Sequence, residues 1–457
     1  MAGIGFEIRK ILKKDSFLSL LQAYGFAGLI SSGPWVLSIV AVMLIGIFSF
    51  SLMTNTTLIV QFLVSVTYLM AASLIVTGFL QLMFTRFVAD RLFENKSNII
   101  LPNLLGALTI TTLVVSALSI ILSFLFVNQS IEYILLMFCN FVVLSNLWIV
   151  LIFLSSMKAY IKILVFFFIG YGIAVAAALL MTDFGIEGLL SGILLGHAFL
   201  LCSFLFIIIR EYPGIKLVSF DFLKNKNIFI SLAFTGLFFN AGVWIDKIVF
   251  WFHPDTSDAI IGPLRASVIY DFPIFLAYLS IIPGMAVFLV RMETDFAEQY
   301  DLFYNSVREG DTLQNIQYRK SQMIYTARQG IYEIFKVQGI TVVLLLLWGK
   351  DILNAFGISS LYAPLLYIDI VGVGMQVLFL SILNVLFYLD DRKTSLILCL
   401  MFFFLNGTLS LISIDLGASF FGYGFALSTS LVSILGIYLL SRLLENLEYR
   451  TFMLHRT

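Results

Sequence analysis

The sequence predicts an all-α integral membrane protein with about twelve transmembrane helices, on the evidence of its composition, its apolar segments and the placement of its basic residues. Apolar residues make up 60% of the 457 residues and charged residues only 12%. An ordinary soluble domain has about 45–50% apolar and about 25% charged residues. A soluble domain of the observed composition would lack the polar side chains that cover a surface. Disorder is excluded as well, because it requires low hydrophobicity and high charge.

Segment length predicts the number of spans. A transmembrane helix needs about 20 mostly apolar residues, whereas the strands of a transmembrane barrel show alternating segments of about ten residues. The apolar runs here are too long and too uniform for such strands. Twelve segments qualify as helices, over residues 20–50, 57–85, 101–126, 131–155, 162–181, 186–209, 228–251, 263–290, 337–355, 361–388, 394–414 and 420–443.

Basic residues predict the orientation, because cytoplasmic loops carry an excess of Lys and Arg. With twelve spans, all but three of the 27 basic residues fall on one side together with both termini. The exceptions are Lys247, Arg265 and Lys350. A wrong span count would scramble this alternation, so we expect both termini in the cytoplasm. The net charge of zero provides no basic field for nucleic acid, and the lipid bilayer is the expected environment.

The chain divides into two predicted lobes of six helices each. They are an N-terminal lobe at 1–210, a cytoplasmic linker at 211–227 and a C-terminal lobe at 228–457. Two pairs of short motifs recur in the same order in both lobes, which indicates a parallel internal duplication, because six spans give both lobes the same orientation. Paired halves around a midplane cavity are common in transporters. The motifs are Gly33-Pro34-Trp35 with Gly242-Val243-Trp244, and Asp183-Phe184-Gly185 with Asp415-Leu416-Gly417.

The longest loop, residues 291–336, contains apolar residues at helical spacing and no proline. This pattern predicts two amphipathic cytoplasmic helices, with a break near Glu309-Gly310-Asp311. Two roles are open for the loop. It is either a structural crossover between the eighth and ninth spans or a docking surface for a cytoplasmic partner.

Motifs of soluble enzymes are missing from the sequence. It contains neither a GxxxxGK[ST] phosphate loop nor an HExxH metal motif. The three cysteines show no metal or disulfide spacing, and the three histidines belong to no nucleophile–base–acid arrangement. We therefore expect no enzyme activity, no catalytic residue, no metal and no cofactor.

Five ionisable residues in or beside the spans are candidates for a substrate pathway, because charges inside a membrane are costly and usually functional. They are Asp246, Lys247, Arg265, Asp271 and Asp369. Neighbouring helical residues point about 100° apart, so Asp246 and Lys247 are not expected to face one wall. Asp246 is expected to pair with Arg265, and Lys247 to extend toward the interface. Asp271 and Asp369 lie deeper and are the better candidates for a polar route, the alternative being acids hydrogen-bonded between helices.

Three prolines are candidate kinks or gates: Pro34 in the first span, and Pro273 and Pro283 in the eighth. A proline inside a helix removes a hydrogen bond and clashes with the preceding turn. Such kinks occur where a spanning helix bends or moves, but membrane helices also tolerate them without a functional role. Both interpretations are open.

Several N-terminal motifs carry a resemblance to a known family. Residues 1–12 read MAGIGFEIRKIL, and they are followed by Asp15-Ser16, Tyr24-Gly25-Phe26 and Ser31-Ser32-Gly33-Pro34-Trp35. Together these motifs closely resemble the PelG family, the membrane component of Pel exopolysaccharide systems. The resemblance is specific at this end and is consistent with the length and the twelve-span layout of the whole chain.

The resemblance implies a fold and a role. The PelG family belongs to the superfamily of multidrug, oligosaccharidyl-lipid and polysaccharide exporters, whose two six-helix lobes face each other across a central cavity. In Pel systems a cytosolic family 4 glycosyltransferase makes a polymer of N-acetylated hexosamines. Companion membrane proteins, one of them responsive to cyclic-di-GMP, associate with the exporter. The resemblance thus implies these partners, a polysaccharide substrate and a location in the cytoplasmic (inner) membrane of a bacterium.

The sequence therefore predicts a protein that translocates a hexosamine-rich, Pel-type exopolysaccharide in concert with a cytosolic glycosyltransferase. Three alternatives are open. The first is a flippase for lipid-linked oligosaccharides. The second is an ion-coupled exporter of small molecules in which Asp271 or Asp369 titrates. The third is a non-transporting anchor that holds the glycosyltransferase through residues 291–336.

Overall fold

Long apolar runs form helices throughout the part of the chain that the structure describes. The computed structural model covers residues 17–53, 55–155, 160–212, 214, 216–224, 229–355, 357 and 359–453. Two units can be distinguished. The N-terminal unit comprises Gly33–Trp244 and Trp251–Ser267, and the C-terminal unit comprises Ile245–Phe250, the described residues of Val268–Thr457 and those up to Ser32. These units follow packing rather than chain order, so their boundaries differ from those of the predicted lobes.

The N-terminal unit contains most of the first seven helices and a two-stranded hairpin. Helices α1 and α7 contribute residues to both units, because the unit boundaries fall inside them. The elements are α1 (Phe17–Leu52), α2 (Thr56–Phe93), α3 (Ile100–Ser123), α4 (Ile131–Ser155), α5 (Tyr160–Leu180), α6 (Gly185–Glu211), α7 (Ile230–Phe252), β1 (Asp258–Ile261) and β2 (Leu264–Ala266).

The C-terminal unit contains the remaining helices. A π-helical segment, Arg291–Phe296, joins α9 to α10. The elements are α8 (Val268–Leu279), α9 (Ile281–Val290), α10 (Ala297–Arg308), α11 (Leu313–Ala355), α12 (Ala363–Tyr388), α13 (Arg392–Asp415), α14 (Tyr423–Glu445) and α15 (Leu447–Met453).

The number of spans agrees with the sequence prediction. Among the described residues, eleven helical segments are long and apolar enough to cross a membrane, and the bent helix α1 is a twelfth when it is counted as one span. Helices suit these runs because hydrocarbon offers no partner to backbone N–H and C=O groups, which a helix satisfies internally.

Helix α6 packs closely against α5, and against Met181 just after it, through Gly188, Gly192 and Gly196, which are four residues apart. A Cβ on Gly192 would lie 2.3 Å from the backbone nitrogen of Ala178, and one on Gly196 would lie 2.5 Å from Cβ of Ala174. Small residues at every fourth position allow membrane helices to approach each other closely. The glycine stripe therefore sets the spacing between these two helices.

The two units have the same internal order of helix packing. In the N-terminal unit, α2 and α3 pack on α4, α4 packs on α6, and α5 packs on α6. In the C-terminal unit, α8 and α11 pack on α12, α12 packs on α14, and α13 packs on α14. Each relation joins spans at equivalent positions in the predicted duplication. The shared order supports an internal repeat of six spans.

The predicted linker after α6 is part of the N-terminal unit and packs on α2 through an aromatic side chain. Phe222, in the 3-10 turn Asp221–Leu223, is fully buried and lies edge-on to Phe84, with ring centroids 5.5 Å apart. The Phe222 N–H donates to Oδ1 of Asn103 at 3.3 Å. The Asn103 amide in turn donates to Oδ2 of Asp221 at 3.3 Å. The described part of the linker is thus held in place by both packing and hydrogen bonds.

The loop at residues 291–336 is a helical hairpin. Helix α10 ends at Arg308 and α11 begins at Leu313, with a turn at the predicted break. Gly310 in this turn has φ of +68°, a conformation that glycine adopts without strain. Helix α11 continues to Ala355, so the second half of the loop and the ninth span form one helix.

Candidate functional site

A buried ion pair lies on the part of α7 that belongs to the C-terminal unit. The side chains of Asp246 and Lys247 are 0% and 1% exposed, and Lys247 Nζ lies 2.9 Å from Asp246 Oδ2. Asp246 and Lys247 contact each other although neighbouring side chains leave a helix about 100° apart. The flexible four-carbon stem of lysine brings its ammonium back to the adjacent carboxylate although the two Cβ atoms diverge. Asp246 therefore pairs with Lys247 in place of the expected Arg265.

The Asp246 carboxylate accepts hydrogen bonds from two further side chains. The Tyr270 hydroxyl, from the first turn of α8, donates to Oδ2 at 2.7 Å. The Asn406 amide, from the middle of α13, donates to Oδ1 at 3.2 Å. A buried carboxylate is stable only when it is paired and its lone pairs are hydrogen-bonded. Three helices of the C-terminal unit thus converge on this group.

Aromatic rings enclose the ion pair. Lys247 Nζ lies 5.0 Å from the ring centroid of Tyr278 and 5.2 Å from that of Phe425, within the range of a cation–π interaction. The Tyr270 ring stacks on Phe250, with centroids 3.9 Å apart and planes 6° apart. This stacking orients the Tyr270 hydroxyl toward Asp246.

Asp369 on α12 lies beside this pair. Its side chain is fully buried, and neither carboxyl oxygen has a hydrogen-bond partner among the residues that the structure describes. It is close enough to Lys247 for electrostatic attraction between them. Gly422 provides the space for the carboxyl group, since a Cβ at Gly422 would lie 2.8 Å from Asp369 Oδ1. The backbone at Gly422 also has a φ of +83°, a conformation that favours glycine.

Asp246, Lys247 and Asp369 form what we call the acid–lysine cluster. With both acids ionised, this cluster would hold one uncompensated negative charge away from water, at a cost of several kcal/mol. One proton on Asp369 makes the cluster neutral. In the described part of the chain, no group of three His, Cys, Asp or Glu side chains is arranged to hold a metal ion.

The other two charged candidates occupy different places. Asp271 follows Tyr270 in the first turn of α8 and is half-buried, and it is Tyr270 that donates to Asp246. Arg265 lies on β2 in the N-terminal unit. Its guanidinium donates to Oγ of Ser257 at 2.9 Å and to the Ser257 carbonyl at 2.8 Å. Arg265 thus ties the hairpin to the segment that precedes it.

The prolines of the eighth span flank a break at Ser280. Pro273 lies inside α8, whereas Pro283 is the third residue of α9. A proline lacks an N–H and clashes with the carbonyl four residues before it, which for Pro283 is Leu279, so the break at Ser280 lies in the turn where Pro283 is expected to act. The Gln338 amide donates to the Ser280 carbonyl at 3.1 Å and so links α11 to the break. The side chain of Pro34 lies outside the described residues.

Two uncharged polar residues, Tyr270 and Asn406, complete the site and were not predicted from the sequence. The prediction considered only ionisable side chains within the spans. Asn406 carried a usable signal, because a side-chain amide inside an apolar helix needs a partner on another helix. Tyr270 carried none that separates it from the other tyrosines, of which the chain has 19 in all.

The fold has solved counterparts at low sequence identity. A MOP superfamily transporter from Pyrococcus furiosus superposes with a TM-score of 0.66 at 11% identity, over 93% of this chain and 96% of that chain. A MATE structure in the bent conformation gives 0.62 at 12% identity, over 98% of each chain. An outward-facing multidrug resistance MATE transporter gives 0.58 at 11% identity, over 92% of this chain and 96% of that one. The chain therefore has the fold of the MOP superfamily transporters.

The family follows from the sequence. The family model of PelG, described as a proposed exopolysaccharide exporter (EPS-E), matches residues 1–452. The chain belongs to the PelG family. No curated protein matches it significantly. Family and fold together point to a multi-pass membrane transporter and not to an enzyme.

Proposed function

We propose that this chain moves a hexosamine-rich, Pel-type exopolysaccharide across the cytoplasmic membrane of a bacterium. The observation that carries the proposal is the match of the PelG family over residues 1–452. The MOP transporter fold supports it, because this fold belongs to proteins that move solutes through a membrane. The chain itself performs no covalent chemistry on the polymer.

A cytosolic family 4 glycosyltransferase supplies the polymer in this proposal, and companion membrane proteins, one of them responsive to cyclic-di-GMP, complete the assembly. The candidate docking site for the glycosyltransferase is the hairpin of α10 and α11. Tyr318 and Tyr325 on α11 are 57% and 62% exposed, and their spacing of two helical turns places them on one face. Exposed tyrosines of this kind are enriched among residues that dominate protein interfaces.

Inverted membrane vesicles test the proposal. Vesicles that contain this chain and its companion membrane proteins are mixed with the glycosyltransferase and labelled UDP-N-acetylhexosamine. Polymer inside the vesicles, protected from added hydrolase, is then counted. We expect protected polymer only when this chain is present, and none of it associated with lipid.

Each alternative function has its own outcome in that assay. Synthesis outside the vesicles with no protected polymer, in the complete assembly, would contradict export and favour an anchor for the glycosyltransferase. Protected label that extracts with lipid would identify a flippase for lipid-linked oligosaccharides.

The docking site is tested by the variant Tyr318→Ser/Tyr325→Ser, in which we expect the glycosyltransferase no longer to co-sediment with the vesicles. Tyr449→Ser, which changes a residue with 60% exposure on α15, serves as the control.

A second candidate role, coupling of export to a proton gradient, is favoured by the acid–lysine cluster. Asp369 is fully buried and has no hydrogen-bond partner among the described residues, while Lys247 is already paired with Asp246. A proton on Asp369 therefore changes the charge of the cluster without breaking its ion pair. Such a group can link proton uptake to a change in helix packing.

The variant Asp369→Asn tests proton coupling. The amide mimics the protonated acid permanently, so we expect polymer export by Asp369→Asn vesicles to become insensitive to a protonophore. The control is Asp415→Asn, because Asp415 is exposed at the end of α13. Export by the unmodified chain that does not respond to a protonophore would contradict this role and favour polymer elongation as the energy source.

A further inference from the structure

A groove of about 710 Å³ lies between α11, α12 and α14 of the C-terminal unit. Its walls are apolar and include Ile331 and Phe335 on α11, Leu378 on α12, and Ile434 and Ile437 on α14. Phe335 and Ile434 are 53% and 63% exposed. In a bilayer these side chains face hydrocarbon, so the groove is open to lipid rather than to water.

One end of the groove is polar. Arg328 is its only ionised lining residue, and Ser441 lines the groove on the facing helix. Near this end, Lys320 on α11 forms an ion pair with Glu448 on α15, with Nζ and Oε1 3.0 Å apart. This pair fixes the position of α11 relative to the segment that follows α14. Arg328 is eight residues from Lys320, about 12 Å along α11 at a rise of about 1.5 Å per residue, and Ser441 lies in the last turn but one of α14, which ends at Glu445.

Arg328 is available to a ligand. Its side chain is exposed, and no described carboxylate forms an ion pair with it. The distribution of basic residues predicts that this end of the C-terminal unit lies at the cytoplasmic surface. The level of Arg328 therefore corresponds to the headgroup region of the inner leaflet, and the apolar walls extend from there toward the membrane centre.

We propose that this groove binds an anionic phospholipid of the inner leaflet. The phosphodiester group pairs with the Arg328 guanidinium, whose planar fork suits a phosphate, and an acyl chain lies against Ile331, Phe335 and Ile434. Basic pockets between transmembrane helices on the cytoplasmic side bind lipid headgroups, and Arg328 supplies the basic group at this end of the groove. The volume is of the size that holds a small-molecule ligand, whereas a helix about 10 Å wide that crosses about 30 Å of hydrocarbon requires a much larger surface.

Lipid titration of the purified full chain tests this site. The chain in detergent is titrated with phosphatidylglycerol, or with phosphatidylcholine as a neutral comparison, and the lipids bound per protein are counted by native mass spectrometry. We expect the first phosphatidylglycerol to bind about fivefold more tightly than phosphatidylcholine. Arg328→Gln should abolish this difference. Arg442→Gln should keep it, because Arg442 is exposed at the same end of α14 but does not line the groove.

A second variant tests the apolar part of the site. Ile434→Trp places a large ring in the groove from an exposed position, and it should remove the saturable first lipid while the protein stays monodisperse. If Arg328→Gln and Arg442→Gln lose the preference for phosphatidylglycerol equally, the preference arises from unspecific surface charge and the proposal is wrong. If Ile434→Trp keeps its lipid but loses a companion membrane protein on purification, the groove is a protein interface and the proposal is wrong.

Discussion

Lys247 Nζ lies 2.9 Å from Oδ2 of Asp246, its neighbour in the sequence, and the pair is almost completely buried. Successive side chains on a helix diverge by about 100°, so the contact requires the lysine to fold back along α7. The rings of Tyr278 and Phe425 cover the ammonium and hold it there. The ion pair is consequently a product of the packing of α8 and α14 around α7.

Removal of Lys247 should destabilise the protein strongly. In Lys247→Met, Asp246 and Asp369 are left without a cation, and breaking a buried pair in this way costs about 3–5 kcal/mol. The double variant Asp246→Asn/Lys247→Met removes both charges and should recover most of that loss. The measurement is the Tm of the purified protein in detergent. Lys350→Met, at an exposed lysine, is the control, and a Tm for Lys247→Met equal to that of the control would contradict the interpretation.

The contact between the linker and α3 should weaken at acidic pH. Hydrogen bonds from Lys224, Ser219 and Asn103 lower the pKa of Asp221 to about 2 from its ordinary 3.8. Because the folded pKa lies below the unfolded one, the stabilisation is complete above about pH 4 and is lost as the pH falls toward 2. Hydrogen exchange of residues 216–224, corrected for the intrinsic rate, should show less protection at pH 2.5 than at pH 6.

The variant Asp221→Asn separates this effect from general acid unfolding. The amide cannot ionise, so residues 216–224 should be less protected already at pH 6 and should lose little more at pH 2.5. If Asp221→Asn keeps the pH dependence of the unmodified chain, another group is responsible.

The glycine stripe on α6 should not accept even a methyl group. In Gly192→Ala the new Cβ would lie 2.3 Å from the Ala178 backbone nitrogen, so α5 and α6 must separate, at a cost of about 1–3 kcal/mol. Gly172 on α5 has no atom within 4 Å of such a Cβ, and Gly172→Ala should be neutral or up to about 1 kcal/mol stabilising. The Tm of both variants in detergent tests the pair, and equal effects would refute the role of the stripe.

The break in the eighth span should depend on Gln338. In Gln338→Leu the Ser280 carbonyl loses its side-chain donor, and the loss of a buried hydrogen bond costs about 0.5–1.5 kcal/mol. The exposed Gln317 on the same helix provides a matched control, Gln317→Leu. The Tm of Gln338→Leu in detergent should be lower than the Tm of Gln317→Leu. Coincident unfolding curves for the two variants would show that the break does not depend on this hydrogen bond.

The sequence was sufficient for the secondary structure of the membrane region. Apolar runs of adequate length have few alternatives in hydrocarbon, which explains the agreement on the number of spans. The turn near Gly310 was also predictable, because a mixed-charge segment with a glycine interrupts two helical patterns there. The prolines were harder to interpret. Pro283 marks the break at Ser280, which lies in the preceding turn, whereas Pro273 lies inside α8 with no such break, and the sequence does not distinguish the two.

The candidate site was predicted only in part. Asp246, Lys247 and Asp369 were recognisable as charged residues within apolar spans, a property of each span by itself. The sequence did not predict that these three residues form one cluster, nor that Tyr270 and Asn406 contribute to it. Tyr270, the neighbour of the predicted candidate Asp271, contacts the carboxylate because the rotation of α8 about its own axis turns it toward α7.

What the sequence by itself determined is where the chain is helical, about how many times it can cross a membrane, and which family it belongs to. These properties depend on local composition and on motifs contiguous in the chain. Only the tertiary structure decided which side chains meet. Helical periodicity sets directions relative to one helix axis, whereas the rotation and register of neighbouring helices depend on the packing of many side chains together. The ion pair of Asp246 with Lys247 and the groove beside Arg328 both arise at that level.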